Sequence, residues 1–287
     1  MTSAGAGTAI VTDSTSDLDP VVARRCGVEV VPLFVNFGDL RFRDEVDLSR
    51  HDFYARMGAG GILPTTSQPT SAMFEDAFRP HVEAGRDIVS IHIASELSGT
   101  INAARAAAAQ FPGARIELID SKTTSGGLGL LALRAGELVQ QGVATADVVA
   151  AVQRDVAHEA GFVAVPDLSH AVRTGRVNRA QAAIGGLLKI VPVLRFGHGA
   201  VEIEARVRTF ARAQETIVES TVKLLGDVAR SRVLVIHAHA LEGGRALAAQ
   251  LRARLDVAPS FFEIAEAGPA IAAHSGQGAL AIFSVAG

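Results

Sequence analysis

The first half of the chain alternates short apolar runs with amphipathic segments. The runs at 8–11, 88–93 and 116–119 have the length of buried strands, and a helix-like segment follows each of them. Before the first of these helices, Asp19 and Pro20 supply an N-cap and a first-turn proline. A buried strand followed by a helix, repeated along the chain, predicts a parallel sheet with helices on its faces.

Other parts of this half predict further elements. Residues 28–37 alternate in polarity and are rich in β-branched side chains, which predicts one strand. Residues 48–57 and a segment that begins at Met73 predict helices. Residues 58–68, which lie between these helices and are rich in Gly, Pro and Thr, predict a loop.

Short strand-like segments dominate the second half, at 162–165, 190–196, 200–207, 233–237, 261–265 and 279–285. Helical patterns occur at 167–173, 179–188, 211–225 and 243–255. The Gly197-His198-Gly199 turn between two strands predicts a hairpin. We therefore expect an α/β protein of two domains. Residues 1–155 form the first, with a parallel sheet and flanking helices, and residues 156–287 form an α+β domain with a mixed or antiparallel sheet.

Composition narrows the class of protein. The chain has 287 residues, of which 48% are hydrophobic, so a large core is expected. The formal net charge is −3 and the arginines are scattered, which argues against a nucleic-acid-binding surface. Cys26, the single cysteine, excludes an internal disulfide and a cysteine-based zinc cluster. No signal peptide and no run of about 18 apolar residues is present, so we expect a cytoplasmic protein without a membrane span.

Hydroxyl side chains concentrate after the predicted strands. They occur at 13–16, 65–70, 95–100 and 121–125, each time next to a helix. A hydroxyl before a helix usually caps it, and Ser98 or Thr100 can do so for the helix that starts near Ile101. However, helix N-termini at the carboxyl edge of a parallel sheet also bind anions. Several such loops at one edge predict a rim that can hold a carboxylate or phosphate.

Three other kinds of site are alternatives to this one. A serine hydrolase would use Ser98 or Ser95 with His92, His170 or His274 as base, but the segment SELSGT lacks the leading glycine of a nucleophile elbow. Gly127-Leu-Gly129-Leu-Leu-Ala132 resembles a dinucleotide fingerprint without its acidic partner, and no phosphate-binding loop is present. His237 and His239 lack an evident third ligand, so no metal is expected.

Two further segments carry candidate ligand contacts. Arg173 and Arg176 flank a glycine turn, where guanidinium groups suit phosphate or carboxylate. The alternative is a solvated helix-turn-helix face. His274 and Ser275 lie in a glycine-rich bend before the last strand, where His274 is a candidate contact for a ligand head group.

These motifs, in this order, resemble those of the DegV family of bacterial fatty-acid-binding proteins. The resemblance covers almost the whole chain and is carried by VTDSTSDL (11–18), PTTSQPT (64–70), SELSGT (95–100), DSKTTSGGLG (120–129), VRTGRV (172–177), GGLLKIVPVL (185–194) and EAGPAIAAHSGQG (266–278). Two turns depart from the family pattern: Thr174-Gly175-Arg176-Val177 replaces Gly-Gly-Arg-Ile, and Gly276-Gln277-Gly278 replaces Gly-Pro-Gly.

The resemblance implies a long-chain fatty acid between two domains and no further cofactor. The carboxylate would bind near Thr65, Thr66, Ser67, Ser95, Ser98, Gly99 and His274. The chain itself would be a non-catalytic carrier that presents the carboxyl group to a partner fatty acid kinase, which forms an acyl phosphate. Arg173 and Arg176 would contact the phosphate or the partner, and transient contact with a membrane surface fits such a carrier. A hydrolase or acyltransferase, or a lipid sensor or store without a kinase, are the alternatives.

Overall fold

The computed structural model describes residues 7–166, 169–176 and 190–287. Its strands are β1 (Thr8–Asp13), β2 (Val28–Val31), β3 (Phe34–Phe37), β4 (Leu40–Arg43), β5 (Thr65–Ser67), β6 (Asp87–His92), β7 (Ile116–Asp120), β8 (Glu159–Ala164), β9 (Val191–Gly197), β10 (Ala200–Val207), β11 (Arg232–His237), β12 (Phe261–Glu266) and β13 (Leu280–Val285). Its helices are α1 (Pro20–Arg25), α2 (Arg50–Gly58), α3 (Ser71–Glu83), α4 (Thr100–Ala108), α5 (Ser125–Gln140), α6 (Thr145–Ala157), α7 (Ser169–Arg173), α8 (Phe210–Leu224), α9 (Leu241–Arg252) and α10 (Pro269–Ser275). The predicted helix at 179–188 lies outside the described residues.

The N-terminal half contains a four-stranded parallel sheet in the order β2-β1-β6-β7. Successive side chains of each strand point to opposite faces. On one face, Val11 packs with phenylalanines of α3 and small side chains of α4. On the other face, Ile10 packs with the leucines of α5. The predicted parallel sheet with flanking helices is therefore confirmed.

The predicted strand at 28–37 is two strands in different sheets. Pro32 has no N–H to donate to a ladder, and the chain leaves the parallel sheet there. The N–H of Leu33 instead donates to the hydroxyl of Ser14 at 2.9 Å. The following strand, β3, forms a small antiparallel sheet in the order β4-β3-β5. The short strand β5 lies inside the segment 58–68, which the sequence predicted to be a loop.

The second half forms a six-stranded mixed sheet in the order β10-β9-β8-β13-β11-β12. Its pairs are antiparallel except for β11 and β12, and β9 and β10 form the predicted hairpin. Alternation gives this sheet two apolar faces. Phe162, Val235 and Ile282 pack under α8 and α9. Val163, Ile236 and Ala281, the neighbours of these residues, belong instead to the core shared with the N-terminal half.

Helix α5 joins the two halves. It packs against β1 and β6 of the parallel sheet and against β11 and β13 of the mixed sheet. Glycines on α5 allow this contact, since a Cβ on Gly126 would lie 2.8 Å from Cδ2 of Phe283. The boundary predicted between residues 155 and 156 falls in the last turn of α6, just before β8 opens the mixed sheet. The division into two domains stays a prediction.

Candidate functional site

A cavity lies between the carboxyl ends of the parallel strands and the inner face of the mixed sheet. The centre of a water molecule could occupy about 120 Å³ inside this cavity. One buried water requires roughly a tenth of that space. Much of its wall is apolar and includes Val163, Leu194, Phe196, Ile236, Ala281 and Phe283. A cavity of this size and polarity favours an apolar ligand over water.

Thr66 and His274 form a polar contact on the cavity wall. Thr66 lies on β5 and His274 on α10, and Oγ1 of Thr66 is 2.7 Å from Nε2 of His274. Of the two threonines of β5, Thr66 lines the cavity, whereas its neighbour Thr65 is exposed and does not. Ser67 also lines the cavity.

The imidazole of His274 is neutral at physiological pH. Burial, together with the neighbouring Arg176 and His170, lowers the pKa of His274 to about 3. The Nδ1 atom is buried and has no hydrogen-bond partner among the described residues, whereas Nε2 faces the Thr66 hydroxyl. An unpaired buried N–H is rarer than an unpaired acceptor, so we place the proton on Nε2. The ring then donates to Thr66 and leaves the threonine proton free for a ligand.

Ser98 follows β6 and lines the cavity. Its Oγ lies 2.8 Å from Oγ1 of Thr100 and accepts the N–H of Thr100 at 3.3 Å. The N-cap residue of α4 is Gly99, which has no side chain to cap with. Of the two predicted capping residues, only Ser98 bonds the start of the helix, where its Oγ accepts the N–H of Thr100, the first helical residue. The Ser98 hydroxyl therefore links the helix start to the cavity.

Gly99 and Ser95 do not line the cavity. A Cβ on Gly99 would lie 2.1 Å from Oε1 of Gln68, which does line it, so the glycine lets Gln68 approach. Ser95 is exposed, donates its N–H to Asp120 at 3.3 Å and donates its hydroxyl to Glu96. Of the seven predicted carboxylate-binding residues, the structure therefore brings Thr66, Ser67, Ser98 and His274 to one cavity.

Comparisons with known proteins assign the family. The model of the DegV family, described as an uncharacterised protein family, matches residues 7–287. A DegV domain-containing protein of Halalkalibacterium halodurans is 35% identical over 278 residues, which cover 96% of each chain. The chain belongs to the DegV family.

Solved structures of DegV family proteins share the fold. A fatty-acid-binding DegV family protein from Thermus thermophilus superposes with a TM-score of 0.91 at 32% identity and covers 98% of this chain and 99% of its own. A stearic-acid-binding protein from Eubacterium ventriosum superposes with a TM-score of 0.90 at 26% identity and covers 96% and 97%. The resemblance to the DegV family and the predicted fold class are confirmed.

In this DegV protein, the two arginines predicted to contact a phosphate or a partner differ in position. Arg176 lines the cavity, is exposed, and donates from Nη1 to the carbonyl of Thr174 at 2.5 Å. Arg173 ends α7, is exposed, and does not line the cavity. Only Arg176 is therefore placed to meet a ligand that projects from the cavity.

The hydrolase alternative pairs Ser95 or Ser98 with a histidine base. Within the described ranges, neither Ser95 nor Ser98 hydrogen bonds a histidine. His92 lies between Asp13 at 3.0 Å and Ser90 at 2.7 Å, and all three side chains are fully buried. A substrate cannot reach this buried set, so His92 ties β1 to β6 rather than activating a nucleophile.

Sequence reasoning missed one polar residue of the cavity wall. Gln68 lines the cavity, and its signal was present in the PTTSQPT motif. In the part of the chain that the structure describes, no group of three or more His, Cys, Asp or Glu side chains is placed to hold a metal ion. No helix among these residues is both long and apolar enough to cross a membrane.

Proposed function

We propose that the cavity binds a long-chain fatty acid, with the carboxylate beside Thr66, Ser67, Ser98 and His274. The observation that carries the proposal is an apolar cavity whose polar groups include the Thr66–His274 hydrogen bond and the Ser98 hydroxyl. The acyl chain lies along Val163, Phe196 and the other apolar wall residues. Proteins named for fatty acid or stearic acid binding have the same fold, which supports this ligand class.

Burial of the acyl chain drives binding. Each buried methylene contributes about 0.8 kcal/mol, and the loss of chain freedom offsets much of the sum. The carboxylate must find donors when it leaves water, or its burial would cost several kcal/mol. The proposed donors are the hydroxyls of Thr66 and Ser98, and neither carries a charge. Arg176 supplies a cation at the cavity wall, so the head group keeps an exposed positive neighbour.

Extraction of the purified protein tests the ligand. Protein purified under native conditions is extracted with organic solvent, and the extract is quantified by mass spectrometry. We expect about one intact fatty acid per chain, as a saturable site of this kind requires. An extract without fatty acid, together with covalent labelling of Ser98 or Ser95 by a fluorophosphonate, would favour the hydrolase instead.

We further propose that the chain is a non-catalytic cytoplasmic carrier that presents the carboxyl group to a fatty acid kinase. The chain contains no phosphate-binding loop, so a partner must supply ATP. The exposed guanidinium of Arg176 at the cavity wall is suited to the phosphoryl group, and Arg173 to the partner surface.

Trapping the acyl phosphate tests the carrier role. Loaded protein, a purified fatty acid kinase catalytic subunit and ATP are incubated with hydroxylamine, which converts an acyl phosphate to a hydroxamate. We expect hydroxamate only when all components are present, and less of it with Arg176→Ala. Intact fatty acid without any hydroxamate would favour a lipid sensor or store. A hydroxamate yield unaffected by Arg176→Ala would remove the proposed arginine contact.

A further inference from the structure

The residue that precedes α5 carries an unused hydroxyl in the cavity wall. Thr124 lines the cavity, yet its side chain is only 6% exposed. Its Oγ1 is buried and has no hydrogen-bond partner among the described residues. Thr124 is also the N-cap residue of α5, but its side chain makes no capping bond. A buried hydroxyl without a partner is costly, which makes it a candidate ligand contact.

Free backbone donors accompany this hydroxyl. The N–H groups of Gly127 and Leu128 donate to the carbonyl of Thr124. The first N–H groups of a helix have no acceptor within the helix, and those of Ser125 and Gly126 donate to no described residue. Helix α5 has 16 residues, so the positive end of its dipole also lies here. The start of α5 therefore offers donors to an oxygen atom that enters the cavity.

Neighbouring carboxyl groups determine which oxygen fits. The hydroxyls of Thr15 and Ser125 also line the cavity, and they donate to the buried carboxyls of Asp13 and Asp17. A carboxylate at Thr124 would share the cavity wall with Thr15 and Ser125, which hydrogen bond these two acids. The nearby Arg50 is already paired with Glu45 at 2.6 Å. A hydroxyl group of the ligand is uncharged and can both donate and accept a hydrogen bond, so these acids do not repel it.

The start of α5 also borders the apolar part of the wall. A Cβ on Gly126 would lie 2.8 Å from Phe283 and 3.0 Å from Ile236, and both residues line the cavity. An oxygen bound at Thr124 would therefore lie beside the apolar wall, where the acyl chain of the proposed ligand runs.

We propose that Thr124 forms a second polar subsite, and that the ligands of this cavity include fatty acids with a hydroxyl group on the acyl chain. The inference rests on the proposed fatty acid binding and narrows its ligand class. The hydroxyl of the ligand exchanges hydrogen bonds with Oγ1 of Thr124 and with the free N–H groups of α5.

Competition between matched lipids tests the subsite. Delipidated full-length protein is mixed with equal amounts of stearic acid and hydroxystearic acids that differ in hydroxyl position, and the bound lipids are quantified by mass spectrometry. One regained hydrogen bond predicts about two- to tenfold enrichment of at least one positional isomer over stearic acid. Thr124→Val should reduce this ratio to about one, and Thr124→Ser should keep it.

The outcomes separate this inference from the proposed function. Stearic acid bound without enrichment of any isomer would overturn the subsite and leave fatty acid binding intact. Enrichment that persists in Thr124→Val would also overturn it. No bound acid of any kind would overturn the proposed function and this inference with it. Circular dichroism shows whether each variant folds. If Thr124→Val does not fold, the ratio of bound hydroxystearic acid to bound stearic acid in the wild-type protein decides the question.

Discussion

Oγ1 of Thr66 and Nε2 of His274 lie 2.7 Å apart, although 208 residues separate them in the chain. The contact joins β5 of the small antiparallel sheet to α10 in the second half of the chain. Because burial keeps His274 neutral, the pair offers hydrogen bonding without a positive charge. The head group of the proposed ligand is thus held by orientation of neutral donors more than by an ion pair.

Replacement of Thr66 by valine should weaken fatty acid binding. Thr66→Val keeps the side-chain shape and removes the proton that we assign to the carboxylate. A hydrogen bond to a charged group is worth about 1.5–3 kcal/mol, so affinity should fall about tenfold or more. Titration calorimetry of delipidated protein with oleic acid measures the change. Thr65→Val is the matched control, since Thr65 lies on the same strand but is exposed outside the cavity. Equal affinities for the two variants would place the carboxylate elsewhere.

Ser98 and Ser95 give a second matched pair of variants. Ser98→Ala should weaken oleic acid binding by a similar factor, about tenfold, because Ser98 lines the cavity. It should also lower the melting temperature slightly, as the Ser98 oxygen accepts the Thr100 N–H. Ser95→Ala should leave affinity unchanged, since Ser95 is exposed and bonds Glu96. A loss of binding in Ser95→Ala with no loss in Ser98→Ala would reverse this assignment.

Gly99 controls the position of Gln68. Its φ of −77° suits alanine, so Gly99→Ala adds only the clash of Cβ with Oε1 of Gln68. Gln68 should move, and oleic acid affinity should fall severalfold. The double variant Gly99→Ala/Gln68→Ser, which shortens the displaced side chain, should recover part of the loss. Gly113→Ala is the control, because Gly113 is exposed and its Cβ would meet no atom within 4 Å. A crystal structure of Gly99→Ala with Gln68 unmoved would contradict the steric account.

The fold was predictable where the signal is local. The runs at 88–93 and 116–119 are short and mostly apolar, and they form neighbouring parallel strands β6 and β7. Strand β5 was not predicted, because its three residues form a strand only by pairing with β3, about thirty residues earlier in the chain. With β5 taken for a loop, the sequence offered no ground for separating Thr66 from Thr65.

The candidate site was predictable only in part, for a similar reason. Hydroxyl-rich loops after strands can be read from the sequence, and Ser98 was found in this way. The contact of Thr66 with His274, by contrast, depends on how the two halves of the chain pack, and the spacing of residues in the sequence does not predict that packing. Ser95 and Ser98 illustrate the limit: both are serines in one six-residue motif, and only the course of the loop after β6 makes one face the cavity.

A buried acid outside the cavity should make the fold less stable at high pH. Asp44 is 1% exposed, so its carboxyl group is shielded from water. Burial, together with the neighbouring acids Glu45 and Asp17, raises the pKa of Asp44 to about 8, against the opposing effects of the Ser14 hydroxyl and Arg50. The folded protein therefore binds a proton that the unfolded chain releases near pH 4. Between these values the folded state holds more protons, so stability falls as pH rises.

Asp44→Asn should remove this pH dependence, because an amide mimics the protonated acid at every pH. Wild type and variant should be about equally stable near pH 4. The variant should then gain on wild type by about 1.4 kcal/mol per pH unit up to about pH 8. Urea denaturation at a series of pH values measures the difference. Asp47→Asn is the control, since Arg43 holds the pKa of exposed Asp47 at about 2, and its effect should not vary between pH 5 and 9. Parallel stability curves for wild type and Asp44→Asn would mean that Asp44 is ionised in the folded protein.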